Sequence, residues 1–219
     1  MVKAKVAKKE GGKDTHILIK APNILSLMVH IEGTAPLVMA AFSQKSQAMM
    51  IANMEAGSTA KSKKNRTARD FAADTEGCIH RDEKGKIGFP ASAFRAAIIS
   101  ACRLTSMHMT QAKLAVFVEA DGIDVVSGQP LVHLIAPKYE MHKAAVRNAT
   151  GVADIRARPM WRKWAMKLRV RYDADLLTAV DVAHLLQRAG TQVGIGEGRP
   201  FSRMSAGMGW GTFAIVNSK

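Results

Sequence analysis

Hydrophobic and polar positions alternate with period two in two stretches of the chain and recur at helical spacing in two others. Leu25, Leu27, Val29 and Ile31 alternate with Ser26, Met28, His30 and Glu32. This pattern predicts a half-buried strand, which Gly33, Thr34 and Pro36 bring to an end. Trp164, Met166, Leu168, Val170 and Tyr172 alternate with Lys163, Ala165, Lys167, Arg169 and Arg171, a strand with one apolar and one basic face. Between residues 90 and 103, Phe94, Ala97, Ile98 and Ala101 share one face of a predicted helix, with Pro90 just outside it and Ser92 as its cap. Thr178 and Asp181 stand three apart before Val182, Leu185, Leu186 and Ala189, the start of a boxed helix that Gly190 suits at its end.

Shorter patterns fill the gaps. A helix is expected from Ser43 through Met54, and a hairpin over residues 78–88 turning at Asp82, Glu83 and Gly85. Residues 113–120 read as a strand with Leu114, Val116 and Val118 on one side, and residues 210–216 as the last strand. Residues 137–151 read as irregular, with room for a short helix around Met141 to Arg147. Order begins near Asn23, behind a Lys-rich stretch at 1–22 that reads as a basic arm or a solvated tail. Strand, helix, glycine loop and strand make half of a βαββαβ unit, and the opening strand and helix can supply the other half. The expected fold is therefore α+β: one ferredoxin-like or RRM-like domain over 23–219, with inserted loops at about 55–77 and 137–160. No internal repeat at a solenoid period is present.

Charge changes this picture more than length does. In 219 residues there are 32 Lys and Arg against 18 Asp and Glu, a formal charge of +14. A hydrophobic fraction of 47% sets the chain apart from disordered basic tails. Cys78 and Cys102 alone exclude a disulfide scaffold. No apolar run reaches the roughly 20 residues of a membrane span, and the start has no apolar signal core. The expectation is a cytoplasmic protein with an anionic partner, nucleic acid favoured and no membrane partner.

Three basic clusters could meet phosphates. Lys61, Lys63, Lys64, Arg66 and Arg69 lie in a small, polar stretch that lacks either apolar period. Arg156, Arg158 and Arg162 flank Trp161 and lead into Lys167, Arg169 and Arg171. Arginine grips phosphate bidentately and an aromatic ring can stack on an unpaired base. The alternative is a solvated strand face with Trp161 in the core. The glycine-rich stretch 194–211 carries Arg199 and Arg203 and could bring backbone N–H groups to a phosphate chain, or could serve turns only. It is neither a dinucleotide fingerprint nor a P-loop, so no cofactor is expected. Cys78 and His80 with Asp82 and Glu83 have no second Cys/His pair, so no metal is expected. The seven histidines are scattered, and no nucleophile or paired-carboxylate signature appears. His30 could act as a base in RNA cleavage or be structural.

Three segments in order resemble the RAMP superfamily, the RRM-like proteins of CRISPR effector complexes. They are LMVHIEGTAPL (27–37), FPASAFRAAIISACR (89–103) and GMGWG (207–211). They look like the family's first strand and turn, its Ser- and Arg-bearing helix start, and its C-terminal glycine loop. The resemblance is closest to the backbone type, and it extends to small phage and prophage proteins. It implies a hand-like core with thumb- and finger-like insertions, here the two inserted loops, and head-to-tail assembly along single-stranded nucleic acid, RNA favoured. It also implies other effector subunits as partners, and Ser92, Arg95, Gly207 and Gly209 near the nucleic-acid backbone. Ala91 and Ala96 stand where the family has glycine, and the turn 33–36 lacks the Asp that cleaves target RNA in some relatives. The leading expectation is thus a non-catalytic backbone subunit. The alternatives are a metal-independent RNA endonuclease and a basic phage structural protein.

Overall fold

A computed structural model describes residues 20–42, 44–55, 69–147, 153–202 and 207–216. The chain opens with β1 (Ile24–Gly33), β2 (Leu37–Val38), α1 (Gln44–Glu55) and α2 (Phe71–Glu76). β3 (Gly88–Pro90), α3 (Ala91–Ala101), α4 (Met109–Ala115), β4 (Val116–Val118) and β5 (Gly122–Ile123) follow. Then come β6 (Pro130–Ile135), β7 (Glu140–Arg147), β8 (Ala153–Trp161), β9 (Ala165–Asp173), α5 (Ala179–Arg188) and β10 (Phe213–Val216).

These elements build a mixed α/β fold around a curled antiparallel sheet. Its order is β10–β1–β9–β6–β3, with β4 on another stretch of β9 and β5 beside β6. β2, β8 and β7 form a separate three-stranded antiparallel sheet.

The two long alternating patterns meet as neighbours. Leu27 faces Val170, Val29 faces Leu168 and Ile31 faces Met166, all turned to the core. α3 and α5 cover that side: Phe94, Ile98, Val182 and Leu186 are fully buried against the strands. Phe94 sits edge-on between Phe89 and Phe213, at 6.1 Å from each ring. Burying side chains of this size contributes about 1.5–3 kcal/mol apiece, which is why the period-two stripes dominate the architecture. α5 starts as its box predicts. Thr178 Oγ1 accepts from Asp181 N at 3.2 Å, and the Asp181 carboxylate accepts from Thr178 N at 2.9 Å.

Several expectations are corrected. Residues 140–147 form a strand, not a short helix, and β7 and β8 pair from Glu140–Met160 to Arg147–Ala153. The segment expected as an inserted loop at 137–160 is therefore largely a hairpin. Of the loop expected at 55–77, residues 71–76 form α2, capped by Asp70. The predicted strand over 113–120 is helix up to Ala115, and Leu114 is 76% exposed. Ser92 does not cap α3: Pro90 holds the cap position and no side chain caps it. Gly190 does not end α5, which continues as a π-helical turn over Ala189–Val193. A Cβ at Gly190 would stand 2.2 Å from the Phe213 carbonyl oxygen, so close packing of helix on strand is its reason. The hairpin over 78–88 forms, with Arg81 opposite Ile87. Among the described residues no helix is long and apolar enough to cross a membrane.

Candidate nucleic-acid interface

The strand pairing that buries one face of β1 and β9 presents the other. His30 stands opposite Lys167, Met28 opposite Arg169 and Ser26 opposite Arg171. Lys167, Arg169 and Arg171 are exposed, and Met28 is half-exposed beside them. Phe117 on β4 borders the patch opposite Arg171, whose guanidinium lies 5.8 Å from its ring centre. Glu119 holds both arginines, at 3.1 Å from Arg169 and 3.4 Å from Arg171. Arg95 reaches the same edge from α3. Its Nε donates to the Val116 carbonyl at 2.9 Å, and it also donates to the Lys113 carbonyl.

A second group surrounds the start of α3. Ser92 and Ala93 line a cleft of about 370 Å³ with Gly196, Arg199, His80 and Gln129. The uncapped helix start brings unsatisfied N–H groups and the positive end of the helix dipole to this cleft. Arg199 spends one N–H on the Gly196 carbonyl at 3.0 Å. His80 is buried, its Nδ1 3.3 Å from Asp124 Oδ2 and without a hydrogen-bond partner. Asp124 accepts from Arg81 N, Ser127 N and Ser127 Oγ. Burial pushes its carboxyl up, but the hydrogen bonds from Ser127, with His80 close by, outweigh this and hold it below the usual carboxylate range.

A third group joins residues far apart in sequence. Arg69, Arg156 and Arg158 line one cleft of about 390 Å³ with Asp74, Asp154 and Cys78. Arg69 donates to Asp74 at 2.8 Å and Asp154 at 2.7 Å, which ties α2 to β8. Arg158 pairs with Glu197 at 2.9 Å and donates to Cys78 Sγ at 3.1 Å. Burial pushes the Cys78 thiol up, with Arg158 opposing, so this is a neutral thiol at physiological pH.

Other candidates fall outside these groups. Trp161 is 1% exposed and packs on Tyr139, so its ring is part of the core and is not available to stack on a base. Arg162 is exposed and held by Glu140. Lys61, Lys63, Lys64, Arg66 and Arg203 lie outside the described residues. Gly207 and Gly209 both have positive φ in the glycine loop, and the two differ in what surrounds them. A Cβ at Gly207 would stand 1.9 Å from the Arg199 carbonyl oxygen, whereas a Cβ at Gly209 would meet nothing within 4 Å. Among the described residues no three His, Cys, Asp or Glu side chains are placed to hold a metal ion. Sequence reasoning missed Phe42, a 54% exposed aromatic that no periodic run contains.

No protein-family model matches the chain, and no curated protein matches it.

Proposed function

We propose that the protein is a non-catalytic binder of single-stranded nucleic acid on a ferredoxin-like, RAMP-type core, assembling head-to-tail along the strand. The observation that carries this reading is the uncovered sheet face on which Lys167, Arg169 and Arg171 stand in a row beside Phe117. Rows of cations next to an aromatic ring suit a phosphate chain with unpaired bases. The strand order β10–β1–β9–β4, with α3 between β1 and β4 and α5 between β9 and β10, supports a ferredoxin-like core. The β7–β8 hairpin supports a thumb-like role for that insertion. RNA is the favoured strand, other effector subunits are further candidate partners, and the cytoplasm is the site of action.

Fluorescence anisotropy with labelled single-stranded RNA and DNA across a salt series tests it. Affinity should fall with salt with a logarithmic slope of roughly −0.7 per neutralised phosphate. Replacing Lys167, Arg169 and Arg171 together by Ala should reduce that slope by about 2. A flat salt titration overturns the reading and leaves a basic phage structural protein in its place. Electron micrographs on long strands test assembly, and only monomers or closed dimers at saturation would overturn it.

His30 supports a second reading, metal-independent RNA cleavage, because it stands opposite Lys167 on the same open face. A histidine base beside a cation that can hold the phosphate is a workable pair. RNA cleaved in the presence of a chelator by wild type, and left intact by His30→Ala, would establish it.

A further inference from the structure

Two clefts share one exposed aromatic wall. The larger, about 580 Å³, is lined by Phe42, Ile79, Val125 and Val126, with Gln47 and Gln129 among its polar groups. The other is the cleft of Arg69, Arg156 and Arg158. Phe42 lines both, as do its neighbour Ala41 and Asp74. The chain leading into Phe42 is held at two points: Ala41 N donates to the Cys78 carbonyl at 3.0 Å, and the Met39 side chain accepts from His80 N at 3.2 Å. The ring is therefore displayed from an anchored segment, and it stays 54% exposed where Val125 is 58% and Val126 37% exposed.

We propose that Phe42 stacks an unpaired nucleobase of a bound single strand, with the base in the apolar cleft and its phosphate on the arginine side. This rests on the single-strand reading above and names a subsite for it. The chemistry of the two clefts fits one nucleotide. A base has an apolar face that gains from an aromatic partner and polar edges that suit glutamine side chains. A phosphate suits planar guanidinium forks. Asp74, Asp154 and Glu197 already pair with those arginines, so they hold the forks in place and also compete with the phosphate. The aromatic contact therefore carries the larger share of recognition here.

The test uses a labelled oligothymidylate and the same strand made fully abasic. Phe42→Ala should bind the oligothymidylate roughly tenfold or more weakly, the worth of one stacked base. Phe42→Trp should stay within about twofold of wild type, since any aromatic face serves. On the abasic strand, wild type and Phe42→Ala should bind alike. Unchanged binding by Phe42→Ala, or an equal loss on both strands, overturns the stacking assignment while the single-strand reading stands. No binding by wild type at low salt of either strand, or of an oligouridylate of the same length, overturns both. A readout free of variants is the emission of 2-aminopurine within the strand, which stacking on Phe42 should quench on binding to wild type. Unquenched emission at every position of the probe overturns the assignment.

Discussion

Arg95 lies with its guanidinium 4.8 Å from the Phe117 ring centre while its Nε donates to the Val116 carbonyl at 2.9 Å. It thereby closes the end of α4 and fixes the start of β4, the strand that borders the basic face of β9. A charge-assisted hydrogen bond of this kind contributes about 1.5–3 kcal/mol. Arg95→Ala should therefore lower unfolding free energy by about that amount in a urea titration. Single-strand affinity at a temperature where the variant is folded should change by less than about twofold, because the fork is already committed to backbone carbonyls. A large affinity loss at unchanged stability would instead make Arg95 a phosphate ligand.

Glu119 holds Arg169 and Arg171 on the face proposed to meet the strand. Exposed pairs of this kind are each worth about 0.2–1 kcal/mol, and binding a phosphate must give up part of that. Glu119→Gln should tighten single-strand binding by about two- to tenfold at low salt and steepen its salt dependence. Anisotropy titrations at two salt concentrations measure both. Weaker binding would show that Glu119 positions the arginines for their ligand.

Much of this face was legible from period two alone. β1 and β9 each bury one side against helices, so every second residue had to be apolar, and Lys167, Arg169 and Arg171 fell on the other side by parity. The boxed start of α5 was legible because a cap is a local device. The β7–β8 hairpin was not. Along β7 half-buried and exposed positions interleave with no fully buried one among those described, so burial left no apolar stripe to read. The run Leu114, Val116, Val118 misled for the opposite reason. A period-two match over so few residues also occurs where a helix hands over to a strand, as it does between Ala115 and Val116. The clefts were illegible because Arg69 and Arg158 meet only through the tertiary fold, with Asp74 and Glu197 completing their pairs.

Asp124, like Asp82 in the neighbouring hairpin, is a carboxylate whose protonation should weaken the fold in acid. Its carboxyl is held below the ordinary value in the folded protein, so it contributes stability above the unfolded value of about 3.9. That contribution is lost as pH falls through the folded value. Asp124→Asn removes the titrating group and weakens the hydrogen bonds to Ser127 and Arg81 N. The variant should be less stable than wild type at pH 7, with the difference beginning to narrow below about pH 5 and narrowing further as pH falls through the folded value. Urea midpoints across that range measure it. A constant difference would mean that Asp124 acts through packing alone.

Gly207 and Gly209 separate the two roles open to the glycine loop. Both have positive φ, at 69° and 77°. At Gly207 a side chain would collide with the Arg199 and Gly198 carbonyls, and the next residue donates from Met208 N to Gly198 at 2.7 Å. Gly207→Ala should therefore destabilise the protein by more than the roughly 1–2 kcal/mol that positive φ alone costs an alanine. Gly209 has open space where its Cβ would be. Gly209→Ala should cost only about 1–2 kcal/mol. If a phosphate chain approaches the backbone there, Gly209→Asn, whose side chain tolerates positive φ, should reduce single-strand affinity by about tenfold while its melting temperature stays near or above that of Gly209→Ala. A Cβ at this position meets nothing within 4 Å in the free protein, so a loss of affinity without a loss of stability reports contact with the ligand. Equal affinity of the two variants and wild type would assign Gly209 to the turn alone, and would leave the β9 face as the surface that holds the strand.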